Sequence, residues 1–269
     1  MYDILRRGVI VDSNDIDDIK FRKLRRFNAV MGAFHFIQAA IMLAIADYSV
    51  KMVFTTSFID SSGGFPPRGP GAALELFSVP LGPMVALFLL MSAIAHFSIS
   101  TFGYKWYVKN LKMNINKARW FEYAVSSSFM LVVIAWLCGM FDFVSIMLLF
   151  SLNACMNLFG YMMELHNQNT KKTDWSSFIF GCFAGLVPWI ALAMYFTGVR
   201  GGSPPAFVYG IFISIAFFFN IFAINMIMQY RKKGKWQDYL YGEYIYIVLS
   251  LVAKTALAWQ VFAGTLVGS

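Results

Sequence analysis

The sequence predicts an all-α fold in which seven transmembrane helices form one bundle. Of the 269 residues, 59% are hydrophobic and 13% are charged, whereas about a quarter of a soluble domain is charged. Seven apolar runs each approach the roughly 20 residues that a helix needs to cross a bilayer. No internal repeat divides the sequence. We therefore interpret residues 1–269 as a single membrane domain.

The apolar runs follow one another along the chain after a polar tail, residues 1–26, which has no signal-peptide pattern. The third and fourth runs are almost fused. Gly139 and Asp142 mark the turn between them, so we expect two antiparallel neighbours joined tightly. The predicted spans are 27–46, 81–103, 118–141, 143–165, 175–198, 205–228 and 240–267.

The longest connection, residues 47–80, is predicted to contain a short β-hairpin at the membrane surface. Residues 50–58 (VKMVFTTSF) are rich in β-branched and aromatic side chains, which favour strands. Glycine and proline pairs follow at 63–64 and 66–67, where a turn is expected.

The basic residues predict the orientation of the bundle. Eighteen lie in the N-terminal tail and in the connections after the second, fourth and sixth runs, and three lie on the opposite side, Lys51, Arg68 and Arg200. The positive-inside rule then predicts a cytoplasmic N-terminus and an extracellular C-terminus, and we expect the plasma membrane. The net charge of +8 is therefore attributed to orientation and not to nucleic-acid binding.

The three cysteines, Cys138, Cys155 and Cys182, lie within apolar runs and lack the spacing of metal ligands. We interpret them as small core side chains, with no disulfide and no metal site expected.

The remaining basic residue, Lys254, lies near the middle of the seventh run. A cation at that depth costs a few kcal/mol on insertion scales. It could face a water-filled cavity or pair with a carboxylate. Alternatively, a lysine in an apolar pocket condenses with an aldehyde to form a Schiff base. In an aromatic-lined seven-helix core, the aldehyde that fits is retinal.

Glu122 is the acidic residue that stands within an apolar window, at the start of the third run, and it is the candidate counter-ion of Lys254. The alternative is an interfacial carboxylate beside Lys117 and Arg119. Glu122 is about one turn into its run, whereas Lys254 is about halfway along its own. The depths agree only if helix tilt and the long lysine side chain close the gap.

Further candidates accompany this pair. Ser250 and Ser126 lie four residues from Lys254 and Glu122, on the same helix faces, and could hydrogen-bond the ion pair or their own backbone. His35 and His96 could carry protons or serve as structural residues. The candidate pocket residues, which could equally be ordinary core, are Asn153, Met156, Trp189 and Phe218.

Several stretches resemble the heliorhodopsins. Residues 242–266 (GEYIYIVLSLVAKTALAWQVFAGTL) resemble the last helix of that family, with its retinal lysine and the serine one turn before it. Residues 119–128 (RWFEYAVSSS) resemble the counter-ion motif of its third helix. Further similarity extends from about residue 24 to the C-terminus, whereas the N-terminal tail and the long first outer loop diverge.

The resemblance implies all-trans retinal on Lys254, Glu122 as its counter-ion and an inverted topology. It also implies a polar network around His35 and His96 on the cytoplasmic side, and a homodimer formed through a small sheet in the first outer loop. The expected function is light sensing, with a signal transmitted through the cytoplasmic face or to a cytoplasmic partner of unknown identity. No enzymatic activity is expected.

Two other functions stay open at the level of the sequence. The chain could be a light-gated proton or ion conductor, but few ionisable residues lie between Lys254 and the outer surface. It could also be a light-independent transporter or membrane enzyme that uses Lys254 and Glu122 as a substrate site. An absorption band on addition of retinal would exclude this last alternative.

Overall fold

The computed structural model describes residues 13–59, 70–198 and 203–267, and within them the chain is mainly helical. Seven of the described helices are long and apolar enough to cross a membrane, which confirms the predicted seven-helix fold. The short α3 connects α2 to α4. The helices are α1 Ser13–Ile45, α2 Leu81–Ser100, α3 Tyr104–Lys112, α4 Lys117–Leu137, α5 Phe143–His166, α6 Ser176–Thr197, α7 Ala206–Arg231 and α8 Tyr239–Val267.

The observed helix ends differ from the predicted ones where the backbone turns. The third span was expected to reach residue 141, but α4 ends at Leu137, because Gly139 adopts a positive φ of 95° that helices do not contain. Asp142 then caps α5 by accepting a hydrogen bond from the Ser145 backbone N–H. The Ser145 side chain also donates to Asp142, and these bonds hold the pKa of Asp142 below its ordinary value.

A two-stranded antiparallel sheet lies between α1 and α2. Strand β1 (Lys51–Ile59) pairs with β2 (Pro70–Pro80), so that Phe54 lies opposite Phe77. Trp136 at the end of α4 donates a hydrogen bond to the Val53 carbonyl of β1. This bond connects the sheet to the helix bundle. The turn region of the predicted outer loop, residues 60–69, lies outside the described residues.

Helices α1, α2, α4, α5 and α6 pack against one another in that order, and α7 packs against α8, which returns to α1. Aromatic side chains close the ring between α6 and α7, where Trp189 contacts Phe212 and Phe196 contacts Tyr209. We call the end that carries the sheet the hairpin end. The opposite end, formed by α3 and the starts of α1, α4, α6 and α8, is the basic end, since it carries most of the described lysines and arginines. Residues 1–12 of the predicted tail, including Arg6 and Arg7, lie outside the described residues, as do Arg68 and Arg200.

The two halves of the bundle differ in polarity. A buried apolar cluster that includes Met42, Phe88, Leu131 and Leu257 fills the half at the hairpin end. By contrast, every buried acidic, basic or histidine side chain among the described residues lies in the middle of the bundle or toward the basic end: His35, Arg119, Glu164, Glu243 and Lys254. Among the described residues, buried charge is therefore confined to the middle of the bundle and its basic end.

Candidate functional site

Lys254 and Glu122 form a buried ion pair in the middle of the bundle. The Lys254 Nζ atom lies 2.7 Å from Glu122 Oε1, and the two side chains are 3% and 11% exposed. Lys254 lies further from the basic end along α8 than Glu122 does along α4, and the long lysine side chain spans this difference in depth. A helical side chain leans toward the N-terminus of its helix, and for α8 that terminus is at the basic end, the direction in which Glu122 lies.

Ser92 on α2 completes this pair, although sequence analysis did not select it. Its hydroxyl accepts a hydrogen bond from Lys254 Nζ and donates one to Glu122 Oε1 over 2.6 Å. The three groups thus join α2, α4 and α8. The signal that could have found Ser92 is its position four residues before His96, which puts both on one face of α2.

The two serines predicted to bond the ion pair have lesser roles. Ser126 is buried beside the Glu122 carboxylate without a hydrogen bond of good geometry. Ser250 is buried and lines a large cavity next to Lys254. Ser92 supplies the hydrogen bonds to the ion pair that these two residues were expected to supply.

The two histidines lie together between the ion pair and the basic end. Their rings stack with centroids 5.7 Å apart, and His96 Nδ1 is 2.8 Å from the Asn28 side-chain oxygen. A small cavity of about 40 Å³ lies next to His96 and reaches from Glu122 toward the basic end. Its polar lining consists of Asn28, His96, Tyr107, Asn116, Arg119, Glu122 and Tyr123.

A much larger cavity, of about 560 Å³, extends from Lys254 between α4, α5, α6, α7 and α8. This volume falls in the range of small-molecule pockets, about 300–1,000 Å³. The predicted pocket residues Met156 and Trp189 line it, together with Tyr123, Phe212 and Phe219. An amine at the wall of an apolar, aromatic cavity suits a long apolar aldehyde, so these residues fit retinal.

Two predicted pocket residues do not line this cavity, which is a correction to the sequence analysis. Asn153 is buried behind the wall, where its amide donates to Ser127 and Ser128, and Asn157 one turn later reaches the cavity instead. Phe219 lines the cavity in place of Phe218. Successive helical residues point about 100° apart, so one position decides which phenylalanine faces inward.

Sequence reasoning also missed a second buried charged cluster nearer the basic end. Arg119 donates to Glu164 over 2.5 Å and also donates to Glu243. Arg119 was the expected neighbour of Glu122 if that carboxylate were interfacial, but its guanidinium is committed to these two other carboxylates. A signal was present in the sequence. Glu164 closes the fourth apolar run and Glu243 stands near the start of the seventh, so both lie at the basic end of the bundle.

Gly160 on α5 allows Trp120 to lie against that helix. A Cβ atom at Gly160 would come within 2.3 Å of the Trp120 ring. We expect Gly160→Ala to lower the free energy of unfolding by about 1–3 kcal/mol through overpacking. Thermal unfolding of the purified protein in detergent measures this loss.

Gly210→Ala on α7 is the matched control, since a Cβ there meets nothing within 4 Å. That variant should be neutral or more stable by up to about 1 kcal/mol, because alanine favours the helix. Equal stability of the two variants would show that Trp120 does not need this close approach.

A family model described as Heliorhodopsin matches residues 24–266, nearly the whole chain. No curated protein matches the sequence.

Proposed function

Because the chain belongs to the heliorhodopsin family, we propose that its response to light is a signal at one membrane face and not the transport of an ion. Membership makes it a retinal-binding, light-sensing, multi-pass membrane protein of the rhodopsin type.

We assign all-trans retinal to Lys254, with its chain in the large apolar cavity. Bound retinal supplies absorption of visible light and a change of shape on isomerisation. Glu122 is the counter-ion that stabilises the protonated Lys254 nitrogen, as its 2.7 Å contact supports. Ser92 orients both groups, and Met156 and Trp189 form part of the cavity wall.

The observation that carries the proposal is the one-sided distribution of polar groups. A proton that leaves the Lys254 nitrogen finds Glu122, Ser92 and the stacked histidines toward the basic end. Toward the hairpin end it meets the buried apolar cluster. A transporter needs titratable groups on both sides of the nitrogen. A proton that leaves and returns on one side instead changes the charge of that face, which a cytoplasmic partner could detect.

The test is an electrical recording from voltage-clamped cells that express the protein and contain retinal. We expect no sustained photocurrent, although the visible absorption band of the same cells shows that the pigment is present. A light-driven proton pump expressed in parallel is the positive control. A sustained current from this chain would overturn the signalling proposal and favour an ion conductor.

We also propose that the basic end faces the cytoplasm and that the protein resides in the plasma membrane. The described residues support this orientation, since the exposed lysines and arginines of α3 and of the connections that follow α5 and α7 share the basic end. The expected result is that an epitope tag at residue 1 stays hidden from antibody in intact cells and becomes accessible after permeabilisation. A C-terminal tag should be accessible in both. The reverse pattern would contradict the assignment.

A homodimer formed through the sheet is the remaining proposal. The β-strands expose large apolar side chains at the hairpin end, among them Phe58 at 61%, Ile59 at 70% and Leu74 at 54%. Exposed apolar side chains grouped in this way are typical of an interaction surface.

A further inference from the structure

Three buried charged side chains meet near the basic end, where α4, α5 and α8 converge. The side chains of Arg119, Glu164 and Glu243 are 4%, 1% and 0% exposed. Arg119 donates a hydrogen bond from Nη1 to Glu243 and another from Nη2 to Glu164. We propose that this cluster is a proton-binding site, separate from the Lys254 pair, and that Glu243 carries the bound proton.

The charge of the cluster is the first argument. Two carboxylates share one guanidinium, so the fully ionised cluster has an excess negative charge inside the protein. An uncompensated charge inside a protein is strongly unfavourable, because it has lost its hydration. The other titratable groups that face the carboxylates are mainly neutral phenols, from α3, α7 and α8: Tyr107, Tyr230, Tyr239 and Tyr246. A bound proton removes the excess charge.

The hydrogen bonds indicate which carboxylate is protonated. Glu164 accepts from four donors, namely the Arg119 guanidinium, the Asn116 backbone N–H, the Trp120 indole and the Tyr239 hydroxyl. A hydroxyl on Glu164 would displace one of these donors, of which the Tyr239 hydroxyl alone is able to accept a hydrogen bond in return. Glu243 accepts from Arg119 and, over 2.6 Å, from the Asn116 amide. Glu243 therefore has the room for an O–H group that Glu164 lacks.

The small polar cavity connects this site to the Lys254 pair. Asn116 and Arg119 line it at one side and Glu122 at the other. Tyr107, which also lines it, has a buried hydroxyl without a hydrogen-bond partner among the described residues. A volume of about 40 Å³ accommodates a water molecule. A change of charge at Lys254 should therefore alter the hydrogen bonding of the Glu243 proton. This coupling rests on the proposed function, whereas the binding of the proton does not.

The test is infrared spectroscopy of the full-length chain produced without retinal, at neutral pH. A protonated carboxylic acid has a carbonyl stretch that carboxylates lack. We expect this band in the wild type and in Glu122→Gln, and its loss in Glu243→Gln. Its absence from the wild type, or its survival in Glu243→Gln, would overturn the proposal.

A second variant guards against a folding defect in Glu243→Gln. Glu243→Asp retains an acid at the site, so the band should persist at a shifted frequency, whereas a spectrum unchanged in position would assign the band to another residue. Retinal binding is measured separately on the same proteins. A wild type that fails to bind retinal would contradict the proposed function and leave the infrared result unaffected.

Discussion

Lys254→Ala is expected to insert and fold but to stay colourless when all-trans retinal is added. Lys254 is the lysine whose amine reaches the wall of the large cavity, and alanine offers no nitrogen for a covalent bond to the aldehyde. The loss of the visible band should therefore be complete. The ion pair is also removed, but Glu122 can become neutral by binding a proton, so a severe folding defect is not expected.

The measurement is an absorption spectrum of the purified protein after incubation with retinal. Lys51→Ala is the matched control, because Lys51 is an exposed lysine at the hairpin end, far from the cavity. That variant should have the wild-type band. A Lys254→Ala protein that keeps this band would show that retinal is attached elsewhere or bound without a covalent link.

Glu122→Gln is expected to shift the pH titration of the visible band by several pH units. The carboxylate stabilises the protonated form of the Lys254 nitrogen far more than the neutral form. Two unit charges about 4 Å apart at an effective dielectric constant near 20 interact by about 4 kcal/mol, which corresponds to roughly three pH units. Glutamine keeps the shape and removes the charge. The titration midpoint should therefore fall, and any protonated fraction should absorb further to the red.

Two serine variants calibrate this result. Ser92→Ala removes a hydroxyl that bonds both members of the pair, so its midpoint should move by about one to two pH units. Ser126→Ala removes a neighbour without a well-formed hydrogen bond, so its shift should be smaller. Equal midpoints in the wild type and Glu122→Gln would show that Glu122 is not the counter-ion.

The sequence by itself determined the number of spans and singled out the two members of the candidate ion pair. Each segment that crosses a bilayer needs a continuous apolar run. Such a run consists of consecutive residues, so it is visible in the sequence. For the same reason Lys254 and Glu122 stood out, since a charge is conspicuous against an apolar run. The β-rich residues 50–58 were also recognisable, because strand propensity is a local property.

Tertiary structure decided which side chains meet. The two hydrogen bonds of Ser92, accepted from Lys254 and donated to Glu122, depend on the tilt and rotation of α2 against α4 and α8. The choice of Phe219 over Phe218 depends on a rotation of about 100° around α7. Glu164 and Glu243 stand near the ends of their apolar runs, and it is helix packing that buries both against Arg119. Such contacts depend on how separate helices pack together, and no single apolar run contains that information.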